Sequence, residues 1–437
     1  PEGPRSFGWR ADAPAVLSWV EAQDGGDPRV EAGVRDRVYT LSEPFEGEPV
    51  PFQDLELRYI GLTWGNGDLA LVTERWWKTR RVRTWRVASG ADGRAVLFDR
   101  SWEDRYHDPG APLMRQTAEG TLVLLTDDGG RRLFLVGDGA SPEGDRPFLD
   151  LYDLESGEAE RLWQSEAPYY ERAVLFVDAE GRQVLIARES PNEPTNYFLR
   201  DLKRGEMRQV THFPHPMPQM ANVQKELIRY KRDDGVQLTA TLYLPADYSL
   251  EDGPLPMLMW AYPCAFKSAA AAGQVNDSPY RFVHISPLSA LPLLTQGYAI
   301  LDGPTMPIVG EGEQEANDTY VEQLVNSAEA AVEEVVRRGA ADRDRVAVGG
   351  HSYGGFMTAN LLAHTDLFRA GIARSGAYNR TLTPFGFQSE ERTLWEASEV
   401  YVAMSSFMHA DKIKAPLLLI HGEADNNSGT FPMQSER

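Results

Sequence analysis

The chain has 437 residues, 42% of them hydrophobic, so it is long enough to bury more than one core. Its 44 lysines and arginines face 65 aspartates and glutamates, a formal charge of −21, which argues against nucleic acid or an anionic membrane surface as a partner. A single cysteine, Cys264, excludes an internal disulfide and a cysteine zinc site.

No apolar run reaches the roughly 18 residues of a membrane span, and the start Pro1-Glu2-Gly3-Pro4-Arg5 has neither a signal nor a transit pattern. The sequence therefore reads as soluble, and as cytoplasmic sooner than periplasmic or plastid. A chain that begins without methionine is expected to lack its native start, so that ordering carries little weight.

From Phe7 to about Met220, short β-prone runs alternate with turn residues, and helical period is nearly absent. The runs fall into units: Phe7-Gly8-Trp9 with 15–20 and 38–41; then 60–64, 69–72, 84–87 and 95–98; then 120–125, 134–136, 148–153 and 159–163; then a unit within 173–210. Sets of about four strands recurring every ~50 residues are the signature of a β-propeller, because one blade cannot bury its own faces. A β-sandwich with irregular loops is the competing reading. About four blades are few for a closed ring, so the predicted propeller is partial, incomplete at its N-terminus, or small.

The cluster Trp76-Trp77-Lys78-Thr79-Arg80-Arg81-Val82-Arg83 has the composition of a nucleic-acid patch. In so acidic a chain it reads better as a solvated hairpin with its tryptophans packed between blades. Thr211-His212-Phe213-Pro214-His215-Pro216-Met217-Pro218 suits an extended connector. It sets the predicted boundary between a propeller domain at 1–220 and a second domain at 221–437. His212 and His215 have no carboxylate or cysteine neighbours at metal-ligand spacing, so they read as linker residues.

Beyond the connector the pattern changes. Runs at 226–230 and 236–244 flank Asp233-Asp234-Gly235 as an edge hairpin. Buried-strand candidates follow at 256–260, 298–301, 345–348, 370–373 and 416–420, with an amphipathic helix at 326–338 whose Asn326 and Glu329 have capping-box spacing. Strands alternating with helices predict a mostly parallel sheet.

Into that sheet falls Gly350-His351-Ser352-Tyr353-Gly354, preceded by the strand-like 346–348 and followed by helix-prone residues. This is the layout of a nucleophile elbow and predicts an α/β-hydrolase domain; an ordinary glycine-rich turn is the plain alternative. Ser352 is the candidate nucleophile. The acid of such a site follows a later strand, which points to Asp425, with Glu423 as runner-up. The base is the difficulty, since none of the eight histidines follows Asp425. His351 is expected to support the turn and His421 to be structural, while His284, His364 and His409 are out of chain order. The sequence is therefore expected to stop short of its histidine. The Tyr353 backbone N–H is one oxyanion donor, and Tyr262, just past the first buried strand, is a candidate for the second.

These residues resemble the prolyl oligopeptidase family of serine peptidases, and within it the glutamyl endopeptidase branch of chloroplasts and bacteria. The resemblance rests on residues 310–324, 349–364, 371–396 and 419–429. It implies a propeller ahead of an α/β-hydrolase peptidase domain, with Ser352 as nucleophile, Asp425 as triad acid and Tyr262 as oxyanion donor. It also implies a histidine some way beyond the aspartate and more blades than are present here, so that the 437 residues form an inert fragment. A peptidase of this branch needs a cation for a glutamate side chain, and Arg380 and Arg392 flank the segment where the family builds its specificity pocket. Their ordinary role is to pair with Glu390, Glu391 or Glu396. The expected substrate is a peptide or unfolded protein cleaved through an acyl-enzyme, with no metal or organic cofactor required. A dipeptidyl or acylaminoacyl peptidase or an esterase is the alternative enzyme, and a non-catalytic propeller scaffold the alternative of another kind.

Overall fold

A computed structural model describes every residue except 1–2, 66, 68, 89–92, 179–180 and 287–288. Pro1 and Glu2 of the stretch read for targeting thus lie outside the described residues. None of the helices described is long and apolar enough to cross a membrane.

The first half is a succession of antiparallel sheets. Arg5–Trp9, Val16–Ala22, Asp36–Ser42 and Val50–Leu55 form one, and Arg58–Trp64, Leu69–Trp76, Arg81–Ala88 and Arg94–Ser101 form the next. The last runs through Tyr170–Phe176, Gln183–Ser190, Glu193–Asp201 and Met207–Gln209. Val50–Leu55 was not legible because Pro51 interrupts it, and an edge position is where a strand tolerates proline. The stretch read as one third unit is divided. Met114–Gln116 pairs with Leu122–Leu124, whereas Arg132–Gly137 and Phe148–Asp153 centre a separate five-stranded sheet. The Leu125 N–H, bonded back to the Leu113 carbonyl at 2.9 Å, turns the chain out of the first ladder.

Neighbouring sheets share their cores. Val20, Val38, Leu55, Trp64, Val72 and Val87 bury one another across the first two sheets, and Phe134, Leu149, Trp163, Val184 and Ile186 do so across the five-stranded and last sheets. The Trp76 to Arg83 cluster is a hairpin, as read, but its two tryptophans differ. Trp76 lies under Arg35 of the first sheet at 4.1 Å, whereas Trp77 stays 42% exposed beside Trp102 and Arg80.

The second half is one seven-stranded sheet in the spatial order Gln224–Lys231, Gln237–Leu244, Ala299–Val309, Leu255–Phe266, Ala341–His351, Ala370–Arg374, Leu417–Ile420. The first two strands join antiparallel, and the other five are parallel to one another, so the sheet is mostly parallel as predicted. Helices Tyr320–Arg337 and Tyr353–His364 pack on it through Leu324, Val332 and Val335 and through Phe356, Met357 and Leu361.

Three expectations need correction. The first helix starts at Tyr320, and Asn326 lies inside it, because the buried Tyr320 and Leu324 extend its apolar face by more than a turn. The strand holding Tyr262 continues to Phe266 beyond an irregularity between Trp260 and Tyr262, so Tyr262 belongs to the strand and not to a loop after it. Leu417–Ile420 is an edge strand, with Leu418 and Ile420 exposed, since among the described residues it has a partner on one side only.

The halves meet near that Tyr262 strand. Glu103, buried in a pair with Arg80 at 2.8 Å, accepts the backbone N–H of Lys267 at 3.0 Å, one residue past the strand. Arg105 reaches across to the Val275 carbonyl at 2.7 Å.

Asp302, on the neighbouring strand, is half-buried near Lys225 and Asp277. Burial first, then the like charge of Asp277, push its carboxyl up to about 6, with Lys225 and the Gly303 N–H opposing. A carboxyl whose pKa rises on folding holds its proton better in the native state. The contribution of Asp302 to stability is therefore fullest below the ordinary value of 3.8 and is lost as pH rises through about 6. Asp302→Asn is expected to be neutral at pH 3.5 and to stabilise by about 1–2 kcal/mol at pH 7. Thermal melts of both proteins at the two pH values check this; the same difference at both would refute it.

Candidate active site

Ser352 sits between the strand Ala341–His351 and the helix Tyr353–His364 with φ 56° and ψ −116°, a conformation an L-residue holds only when its surroundings enforce it. The Ser352 N–H is fixed to the Arg374 carbonyl at 2.8 Å, and its carbonyl accepts from Phe356 N–H at 3.1 Å. Enforcement comes from glycine. A side chain at Gly350 or Gly354 would run into the Ala261 carbonyl, at 2.7 and 2.4 Å from the respective Cβ positions. Strand, turn and helix can close on one another only without those side chains. The elbow predicted from the motif is thus formed.

Close approach to Ala261 brings Tyr262 alongside. Its ring lies 6.0 Å from that of Tyr353, and it is 47% exposed at the same end of the sheet. The Tyr353 ring points inward and is buried against Tyr320 and Phe356 at 5.8 and 5.1 Å. Tyr320, at the start of its helix, was not singled out in the sequence, where the one sign of its packing role is an aromatic residue at that position.

Asp425 follows the strand Leu417–Ile420, two strands over from the serine strand, at the same carboxyl ends. Its carboxylate accepts the Asn427 N–H at 3.0 Å and the Thr430 hydroxyl at 3.2 Å and stands 3.3 Å from His421 Nε2. The Asn427 N–H first, with Thr430 and His421, holds it below the usual carboxylate range. Glu423 is exposed in the same loop.

The histidines are placed as follows. His351 is exposed beside the elbow. His421 is engaged through Nδ1 with the Ser435 hydroxyl at 2.6 Å. His364 stacks edge-on with His409 at 4.6 Å, at the far end of the elbow helix, about 18 Å along its axis from Ser352. His284 is exposed, and the linker His215 packs on Phe282 at 5.0 Å and accepts the Met217 N–H. No side chain among the described residues hydrogen-bonds the Ser352 hydroxyl.

The two candidate arginines separate sharply. Arg392 donates to Glu390 at 2.8 Å and to Asp318 at 2.7 Å, so its fork is filled. Arg380 is 3% exposed and lies over Phe356, Phe387 and Tyr353 at 4.1, 4.4 and 5.2 Å. Its guanidinium meets no acceptor among the described residues, and burial pushes its pKa down.

Residues 312–432 match the family described as the prolyl oligopeptidase family. The whole chain is 56% identical to a protein named probable glutamyl endopeptidase, chloroplastic, from Arabidopsis thaliana, covering 47% of it, and equally so to its namesake from Oryza sativa subsp. japonica, covering 48%. Residues 312–432 thus carry the domain of the prolyl oligopeptidase family. The chain spans about half the length of these curated relatives. Among solved structures, Porphyromonas gingivalis dipeptidyl peptidase 4 matches 98% of this chain and 68% of its own at TM-score 0.64 and 16% identity. A puromycin-hydrolyzing peptidase of Mycobacterium tuberculosis matches 99% of this chain and 63% of its own at TM-score 0.61 and 19% identity. At such identities these matches speak for a shared fold alone. The elbow falls within the matched segment, so the prolyl oligopeptidase family assignment and the hydrolase geometry concern the same residues. The curated relatives are named chloroplastic, which does not favour the cytoplasmic compartment read from the sequence.

Proposed function

We propose that these residues belong to a serine endopeptidase that cuts peptides after glutamate. In this reading Ser352 Oγ gives its proton to a histidine base and attacks the carbonyl carbon, and the oxyanion is held by the Tyr353 N–H and the Tyr262 hydroxyl. The base returns the proton to the leaving amine as the C–N bond breaks, and water then hydrolyses the Ser352 ester. Asp425 orients the base, which is supplied from outside the 437 residues. The repeated sheets of residues 1–220 act as propeller blades that limit access to residues 221–437, so that small or unfolded peptides are preferred.

One observation carries the glutamyl specificity. Arg380 is a buried cation without a counterion among the described residues, held by three rings close to the elbow. A glutamate side chain supplies the missing charge with a two-pronged fit. Arg392, already saturated, holds the segment in place by bridging to Asp318.

In a longer protein carrying these residues, a fluorophosphonate is expected to label Ser352 and to fail on Ser352→Ala, while the 437-residue chain stays unlabelled. Labelling that survives Ser352→Ala would remove Ser352 as nucleophile. Equal hydrolysis of peptides differing only by glutamate or leucine before the cleaved bond would remove the glutamyl reading. No labelling of the longer protein would favour the scaffold.

A further inference from the structure

A cavity of about 870 Å³ opens between the first two sheets and the segment that carries Glu391. Its charges are unevenly matched. Arg5, Arg35 and Arg58 share two carboxylates, Asp24 and Asp36, whose side chains are fully buried. Asp24 takes Arg35 at 3.0 Å and Arg58 at 2.6 Å; Asp36 takes Arg58 at 2.9 Å and also Arg5. The Arg5 Nη1 is buried with no acceptor among the described residues. On the second-sheet wall, Arg75 and Lys78 are exposed and have no carboxylate partner among the described residues. Arg29 is satisfied by Asp27 at 2.9 Å. Glu31 and Glu391 also border the cavity, but both are exposed to solvent, where their charge is screened.

Aromatic rings complete the lining. Arg35 lies over Trp76, which fixes that guanidinium against the wall, and the exposed Trp77 offers an apolar face beside Lys78. Arg75, which lies over Trp102 at 5.6 Å, and Lys78 thus have no carboxylate partner among the described residues, and beside an open ring they are the chemistry of a site for a carboxylate-bearing chain with apolar side chains. In a molecule of net charge −21 they stand out locally, because the surrounding field repels extended polyanions.

We propose that this cavity is an exosite for acidic peptide segments, distinct from the candidate active site. Carboxylates of the bound segment pair with Arg75 and Lys78, and a neighbouring apolar side chain covers Trp77. The preference for peptide over nucleic acid rests on the peptidase reading above. Glu391, in the same segment of chain as Arg380, borders the cavity and so connects the exosite to the segment that presents Arg380.

The test is binding, so it needs no turnover. The Ser352→Ala chain is titrated with a fluorescent glutamate- and leucine-containing peptide, with its glutamine counterpart, and with an oligonucleotide of equal charge, each read by anisotropy. The glutamate peptide is expected to bind at least about tenfold tighter than the other two, and Arg75→Glu/Lys78→Glu to weaken it by about tenfold or more, with a steep salt dependence. Both side chains are exposed, so an unchanged melting temperature will show that the variant is folded. Binding equal in parent and charge-reversed variant overturns the exosite, as does tighter binding of the oligonucleotide. Arg380→Met separates the two ideas. Loss of peptide binding there, with none in the charge-reversed variant, places the peptide at Arg380 and removes the exosite while keeping the glutamyl reading. The opposite pattern keeps the exosite whatever becomes of that reading.

Discussion

Arg380→Met is expected to lower kcat/KM for a glutamyl peptide by about a hundredfold or more while changing the stability of the fold by no more than about 2 kcal/mol. The catalytic half of this expectation follows from the missing counterion. A substrate carboxylate that enters the ring-lined site without the guanidinium is a buried unpaired charge, and such a loss is worth about 3–5 kcal/mol. Leucyl peptides, which never used the charge, keep their rates. Arg380→Lys is expected to fall between, since it keeps the charge but loses the two-pronged geometry.

The stability half sets two terms of similar size against each other. Burial of the guanidinium costs several kcal/mol, and its contacts with Phe356, Phe387 and Tyr353 return up to about 2 kcal/mol each. Methionine keeps much of the volume and makes sulfur–aromatic contacts of about 1 kcal/mol. The net change is therefore within about 2 kcal/mol. Arg380→Ala, by contrast, opens a cavity among the rings and is expected to cost about 2–5 kcal/mol. Peptide kinetics on the longer protein and melts of the 437-residue chain check the two halves separately. Unchanged glutamyl cleavage by Arg380→Met would place recognition elsewhere, and a severe loss of its stability would make Arg380 a structural residue.

Sequence reasoning reached the elbow because its cause is local: glycines two residues either side of a serine, between a strand and a helix, have few other uses. It reached the mostly parallel sheet for a similar reason, since alternating strands and helices leave few topologies. It did not separate Arg380 from Arg392. Both have glutamates nearby in sequence, and only the fold delivers Glu390 to Arg392 while enclosing Arg380 with rings from the elbow helix and residue 387. Nor did it see that Leu418 and Ile420 are exposed, because an apolar run reads the same at an edge as in the middle of a sheet. The position of Tyr262 was approached but misplaced, as the irregularity after Trp260 hides the continuation of the strand. Recurrence of strands in the first half was legible, while the split at Leu125 depends on one backbone hydrogen bond that no residue type announces.

Gly354→Ala is expected to destabilise the chain by about 3 kcal/mol or more and, in the longer protein, to abolish labelling of Ser352. Position 354 lies in the helix Tyr353–His364, where alanine is ordinarily better than glycine by about 1 kcal/mol, so propensity alone predicts the opposite sign. Space decides. The added Cβ would stand 2.4 Å from the Ala261 carbonyl oxygen, and the obstacle is backbone, with no rotamer to give way. The strand has little room to retreat, because up to Trp260 it is held in parallel ladders to Ala299–Val309 and Ala341–His351, and from Tyr262 it is paired again to Ala299–Val309. The helix start is tied in turn by the Phe356 N–H to the Ser352 carbonyl. Whatever shift accommodates the methyl group therefore displaces Ala261 relative to Ser352 and carries Tyr262 with it. A misplacement of about 1 Å at reacting groups is worth about a hundredfold, so activity should fall further than stability does. Gly33→Ala, where a Cβ meets nothing within 4 Å, is the matched control and should leave both unchanged. If Gly354→Ala melts like the control, the close approach of Ala261 is not what holds the elbow in its strained conformation.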